Sequence, residues 1–200
     1  MAILILDAFS GIEDTLLESH TPDIGGTWVK EAGANGIELK AAGGVTSIKI
    51  VDGSGEGHYY NDIANNADGY VQIKITDLPT PDGPIGGIKI RRSAFNNYYF
   101  LSLHEVSGVA LGKVVNGSSS IFATSPTPPA ISDVFNLEII GVNLKVYKNG
   151  TQILSGMDNS HITGKFGVWL SNWGYPNSAA FDDFEAGTFI FPVSNTLGYS

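Results

Sequence analysis

VFNLEIIGVNLKVYKNG, residues 134–150, sets Phe135, Leu137 and Ile139 alternately with Asn136 and Glu138, then Leu144 and Val146 with Lys145 and Tyr147. A period of two belongs to a strand with one buried face. Asn149-Gly150 supplies two neighbours that both tolerate positive φ, as a type I′ hairpin turn requires, and Gln152–Leu154 returns. Phe166, Val168 and Leu170 make a further alternating strand, and Phe181-Asp182-Asp183-Phe184 opens one that runs toward Phe189. Working back along the chain, the same pattern predicts strands over Ile3–Phe9, from Thr27, over Ile37–Lys40, Val45–Val51 and Gly69–Thr76. Ile88–Arg92 and Tyr98–Glu105 follow as a pair; Val109–Val115 and Ser120–Ala123 form another, joined by Asn116-Gly117. His58–Ile63 reads as a strand with exposed aromatics. Leu78–Gly87 holds three prolines and three glycines and reads as a surface loop, because proline donates nothing to a sheet ladder. No apolar pattern of helical period lasts three turns, and no internal repeat is present.

Two hundred residues suit one β-sandwich with a core large enough to need no staples, and the chain has no cysteine to form one. The formal charge of -9 argues against nucleic-acid phosphate as a partner. No segment reaches the length of a membrane helix. Ile3–Leu6 is too short for the core of a signal peptide, and no basic residue precedes it. The expectation is therefore a chain that stays in the cell that makes it or leaves inside an assembled particle. The predicted fold is an all-β, antiparallel two-sheet jelly roll over residues 1–189. Residues 190–200 are expected to form an apolar C-terminal arm, which must dock on its own domain or on a neighbouring subunit.

The order of the closing pieces, with GKFGVWLS (164–171) and AAFDDFEAGTF (179–189) after residues 134–150, resembles the concanavalin A-like, laminin-G-like jelly rolls. DAFSGIEDTLLESHTPDIGGTWVK (7–30) resembles the opening of that group, and NNYYFLSLHEVSG (96–108) one of its central strands. The resemblance implies a structural hydrogen bond at His20 and a core position for Trp28. It also implies a structural calcium ion where the first and last strands meet, with Asp7, Asp182 and Asp183 as candidate ligands, since a hard cation takes oxygen donors. The alternative is that one aspartate accepts backbone N–H bonds and another is solvated.

Glycosidases occur on folds of this kind and need two carboxylates flanking one bond, about 5–5.5 Å apart in retaining enzymes. No Glu-x-Asp-x-Glu pattern is present; Asp182-Asp183 and His104-Glu105 are adjacent strand residues that face opposite ways. His20, His58, His104 and His161 are scattered, and neither a phosphate loop nor a zinc spacing is present. The chain therefore reads as non-catalytic. Sugar recognition needs flat aromatic faces beside amides and carboxylates. The candidates are Trp173 and Tyr175 in the loop Ser171–Asn177, Trp169 facing away from Val168 and Leu170, and the pair Tyr59 and Tyr60. With the resemblance, these features lead first to a bacteriophage virion structural protein, a capsid decoration or a tail or fibre attachment component. Such a protein would form homo-oligomers, contact other virion proteins through its arm and meet host glycans. The alternative is a carbohydrate-binding module, free or associated with a polysaccharide-degrading enzyme.

Overall fold

The computed structural model describes residues 1–42, 45–51, 55–63, 65–79, 83–172 and 179–189. These form two antiparallel sheets packed face to face, with strands numbered in chain order. The first sheet runs β13 (Thr151–Met157), β12 (Asn143–Lys148), β11 (Val134–Ile140), β6 (Gly69–Asp77), β15 (Ala180–Thr188), β4 (Val45–Ile50) and β3 (Ile37–Ala42). β1 (Ala2–Asp7) also pairs with β15, so the two ends of the sandwich meet, Ala2 opposite Thr188 and Asp7 opposite Phe184. The second sheet runs β10 (Ser118–Ser125), β9 (Gly108–Val115), β8 (Asn97–His104), β7 (Pro84–Ala94), β14 (Lys165–Asn172), β5 (Gly55–Asn61) and β2 (Trp28–Lys30).

Alternation sorts the side chains. Val71, Ile73 and Ile75 of β6, Phe135, Leu137 and Ile139 of β11, and Leu144 and Val146 of β12 are fully buried. Facing them from the second sheet are Ile88 of β7, Leu101 and Leu103 of β8, and Val168 and Leu170 of β14. Each such side chain contributes about 1.5–3 kcal/mol on leaving water, which is why the strand period dominates the fold. Both Asn-Gly turns have the left-handed φ values that their sequence demands, 50° and 78° at Asn149 and Gly150, and 51° and 84° at Asn116 and Gly117.

Three strand expectations need correction. Residues 84–87 are not loop: Pro84 opens β7, the central strand of the second sheet, at the one position where its missing N–H costs no ladder bond. The first strand stops at Asp7, and Phe9 turns away with φ 46°. The strand around residue 58 is β5, and its Tyr59 faces the core instead of solvent. The expected arm, residues 190–200, and the loop residues Trp173 and Tyr175 lie outside the described residues.

Buried polar groups pin the ends. Arg91 sits at a register shift in β7 with φ 52°, and its guanidinium donates to the carbonyls of Ala67, His161 and Gly141 and to Asp68. One side chain thus satisfies four acceptors from three segments that would otherwise be open ends.

Candidate functional site

The outer face of the second sheet carries a groove. Strand register sets His58, Trp169, Gly87 and Ser102 side by side across β5, β14, β7 and β8. The neighbouring row is Tyr60, Gly167, Lys89, Phe100 and Gly112. Glycine at 87 lets β7 pack close against β8 with the Trp169 indole edge over it: a Cβ there would lie 1.8 Å from the Leu101 carbonyl oxygen and 3.1 Å from Trp169 Nε1. Glycine at 112 admits the Phe100 ring, whose Cζ would stand 2.5 Å from an added Cβ. The space left is about 710 Å³, lined by the aromatic side chains Trp169, Tyr98, Phe100 and Phe95. Glu56, His58, Asn96, Ser102 and Ser119 add polar groups to the same walls.

Under the aromatic lining runs a chain of charges. Lys89 points outward from β7 yet is 0 % exposed, because the Tyr98 ring lies 4.4 Å from its Nζ. Its ammonium donates to Glu31 Oε2 at 3.1 Å and to His58 Nδ1 at 2.7 Å. Arg92 donates to the other oxygen of Glu31 and covers the Tyr60 ring at 3.8 Å. Burial pushes the Lys89 ammonium down to about 8, against the pull of the Glu31 carboxylate. Since Lys89 occupies Nδ1 of His58, the imidazole holds its proton on Nε2 and donates it to Glu56 Oε2 at 2.8 Å. That bond holds the Glu56 carboxyl below its ordinary range in spite of partial burial. The His58 ring in turn lies beneath Trp169, centroids 5.7 Å apart and planes 28° from parallel. The indole is thereby held flat on a clamped imidazole.

Chemically, this arrangement suits holding a ring. The Glu31 carboxylate is sealed from solvent and neutralised by two cations, so among the described lining residues Glu56 is the one carboxylate that a ligand meets. A glycosidase site needs two.

Of the sequence candidates, Trp169 lines the groove. Tyr60 lies on the same face, but Arg92 and Lys165 cover its ring. Tyr59 is a core residue; its hydroxyl donates to Glu18, and burial, with that bond, pushes its pKa up. The sequence reading missed Tyr98, Phe100, His58, Glu31 and Lys89. Tyr98 and Phe100 flank the buried Tyr99 at strand spacing, and that alternation was the available signal.

No protein-family model matches the chain, and no curated protein matches it. Solved structures do. A carbohydrate binding module from Bacillus subtilis is similar at a TM-score of 0.62 and 19% identity, over 80% of this chain and 95% of that one. A Bacillus subtilis protein of unknown function with a galectin-like fold matches at 0.60 and 15%, over 80% and 89%. The exoplasmic/lumenal domain of VIP36, in a form bound to Ca2+ and Man3GlcNAc, matches at 0.57 and 12%, over 82% and 86%. The chain folds as a concanavalin A-like jelly roll. Bacterial β-glucanases share this jelly roll too.

In this jelly roll the expected calcium ligands are otherwise engaged. Asp7 is buried; its Oδ1 accepts from the Phe9 N–H and His20 Nε2, both at 2.8 Å, and its Oδ2 from Trp28 Nε1 at 2.7 Å. Asp183 pairs with Lys74 at 3.0 Å on the outer face. Asp182 accepts the Asp183 N–H, and its pKa is raised by burial first, with the charges of Asp183 and Asp7 adding to it. Among the described residues no group of three His, Cys, Asp or Glu side chains is arranged to hold a metal ion. The donors present do not fit a calcium cage. They make Asp7 the hub that joins β1, the His20 loop and Trp28, as expected for His20 and Trp28.

Proposed function

We propose that the chain is a non-catalytic carbohydrate-binding domain that seats a glycan in the groove of its second sheet, with Trp169 as the stacking platform. The row His58–Trp169–Gly87–Ser102 carries the reading: an indole held flat on His58 and over a strand position that has no side chain, with polar groups on the same walls. The likeness to a carbohydrate binding module supports it. The role on a virus particle, with virion partners, a homo-oligomer and a docking arm, draws support from neither the groove nor the structural likenesses, so the module reading is favoured over it.

Calorimetry against soluble polysaccharides tests the proposal. The folded protein should bind at least one of them saturably, and Trp169→Ala should weaken that binding by about tenfold or more, the scale of a buried tryptophan anchor. Unchanged affinity in a Trp169→Ala protein with native circular dichroism would remove the groove from the account.

A further inference from the structure

Resting on that reading, we infer that the groove selects neutral glycans over acidic ones, and that Glu56 is the residue that sets this choice. The sorting of charge carries the inference. Four charged side chains stand in one connected set, Arg92, Glu31, Lys89 and Glu56, with His58 linking the last two. The two cations lie on the inner side of the set and both spend their charge on Glu31, whose carboxylate is wholly buried. Glu56 is at the open end, with 39 % of its side chain exposed. Its Oε2 is taken by His58, and among the described residues no donor reaches Oε1. Among its described lining residues the groove therefore offers a ligand one fixed carboxylate and no cation.

A sugar hydroxyl that donates to a carboxylate forms a charge-assisted bond, stronger than one to a neutral acceptor. A uronate, sialate or sulfate placed on Trp169 would instead bring a second anion near Glu56 in a partly desolvated site, where like charges repel strongly and no cation answers them. Lysine 89 does not relieve this, since its ammonium is roofed by Tyr98 and its hydrogen bonds go to Glu31 and His58.

The test is calorimetry of the full chain against neutral polysaccharides (a β-glucan, a mannan, a galactan, a fructan) and against polygalacturonate, at pH 7 and fixed salt. The protein should bind a neutral polymer and not polygalacturonate. Glu56→Gln should weaken the neutral polymer by about tenfold, as expected for loss of a charged acceptor, and Glu56→Lys should gain affinity for polygalacturonate. Circular dichroism shows whether each variant is folded, and a second variant, Glu56→Asp, should retain the preference with weaker binding. Comparable binding of polygalacturonate by the unaltered protein, or full affinity of folded Glu56→Gln, overturns the inference while leaving the carbohydrate-binding reading in place. Binding to none of the polymers overturns that reading, and the inference falls with it.

Discussion

Replacing Asp7 with alanine should cost more stability than any other single change on the β1–β15 seam. The carboxylate is buried and takes the N–H of Phe9, the Nε2 of His20 and the indole N–H of Trp28, all within 2.8 Å. Phe9 and Trp28 are themselves buried, so neither N–H finds water when the acceptor goes. Each orphaned buried donor costs about 1–3 kcal/mol, and two of them, with the His20 bond lost as well, give a destabilisation of roughly 3–6 kcal/mol. For a chain of 200 residues this lowers Tm by roughly 6–24 °C, at 2–4 °C per kcal/mol. Asp7→Asn should lose nearly as much, because its amide N–H2 would point a donor at donors. Differential scanning calorimetry reads both. The companion measurement is the same scan of the unaltered protein with and without a chelator, where Tm should not move. A drop below about 2 °C for Asp7→Ala would refute the hub. So would a chelator shift as large as the mutational one, since the aspartate would then be serving a cation.

Other expected outcomes follow from single contacts. Tyr59→Phe loses the bond to Glu18 and should cost about 1–2 kcal/mol in urea unfolding while leaving glycan affinity unchanged; a binding defect would put Tyr59 back among the ligand contacts. Gly87→Ala forces a methyl against the Leu101 carbonyl and the Trp169 indole edge, so destabilisation of roughly 1–3 kcal/mol and weaker binding should appear together, and a stable, fully binding variant would show that the indole does not depend on this position. Asp158 is held well below the usual carboxylate range: burial works against this, but bonds from Lys113, Ser160 and Tyr99 outweigh it. A depressed folded pKa gives stability that is present above the ordinary value of about 4 and lost as pH falls through the folded one, so the urea midpoint should drop between about pH 4 and pH 2, and Asp158→Asn should flatten that limb. Glu56 is also lowered, chiefly by His58, so glycan binding should persist at about pH 5 and decline only below about pH 4. Loss already at pH 6 would point to a different titrating group.

The fold was legible because it depends on signals that repeat. Phe135, Leu137 and Ile139 each report the same buried face, and the two Asn-Gly pairs each fix a turn without help from distant residues. The groove was not legible, for two physical reasons. Its members come from β5, β14, β7 and β8, and only strand order brings His58 within reach of Trp169 and Lys89. The proline-glycine run at 78–87 also looked like punctuation, whereas Gly86 and Gly87 are strand residues whose missing side chains let neighbouring strands approach closely. Tyr59 misled for a related reason: alternation says that one of Tyr59 and Tyr60 faces in, but not which, and Tyr59 is the one that bonds Glu18 across to the 17–19 turn. Trp169 was legible from its own strand because Val168 and Leu170 are unmistakably core.

The two outer faces of the sandwich arrange their polar residues differently, and the difference supports the proposed groove on the second sheet. On the first sheet, polar groups pair across neighbouring strands, Lys49 with Glu38 at 3.3 Å and Tyr70 with Glu185 at 2.5 Å, both largely covered, and Lys74 with Asp183 at 3.0 Å in the open. An exposed pair such as Lys74–Asp183 keeps its surroundings wet and contributes little to stability. On the second sheet Lys89 sits beneath Tyr98, so aromatic faces line the groove there, while Arg92 covers the Tyr60 ring beside it. Burying a lysine at 0 % exposure is costly unless its partners are fixed, and Glu31 and His58 supply that fixation. A sheet that needed only solubility could place Lys89 in water, as the first sheet does with Lys74. Drawing it under the aromatic layer leaves an uncharged, flat platform with a single carboxylate at its edge, and a surface so arranged is suited to holding a neutral ring.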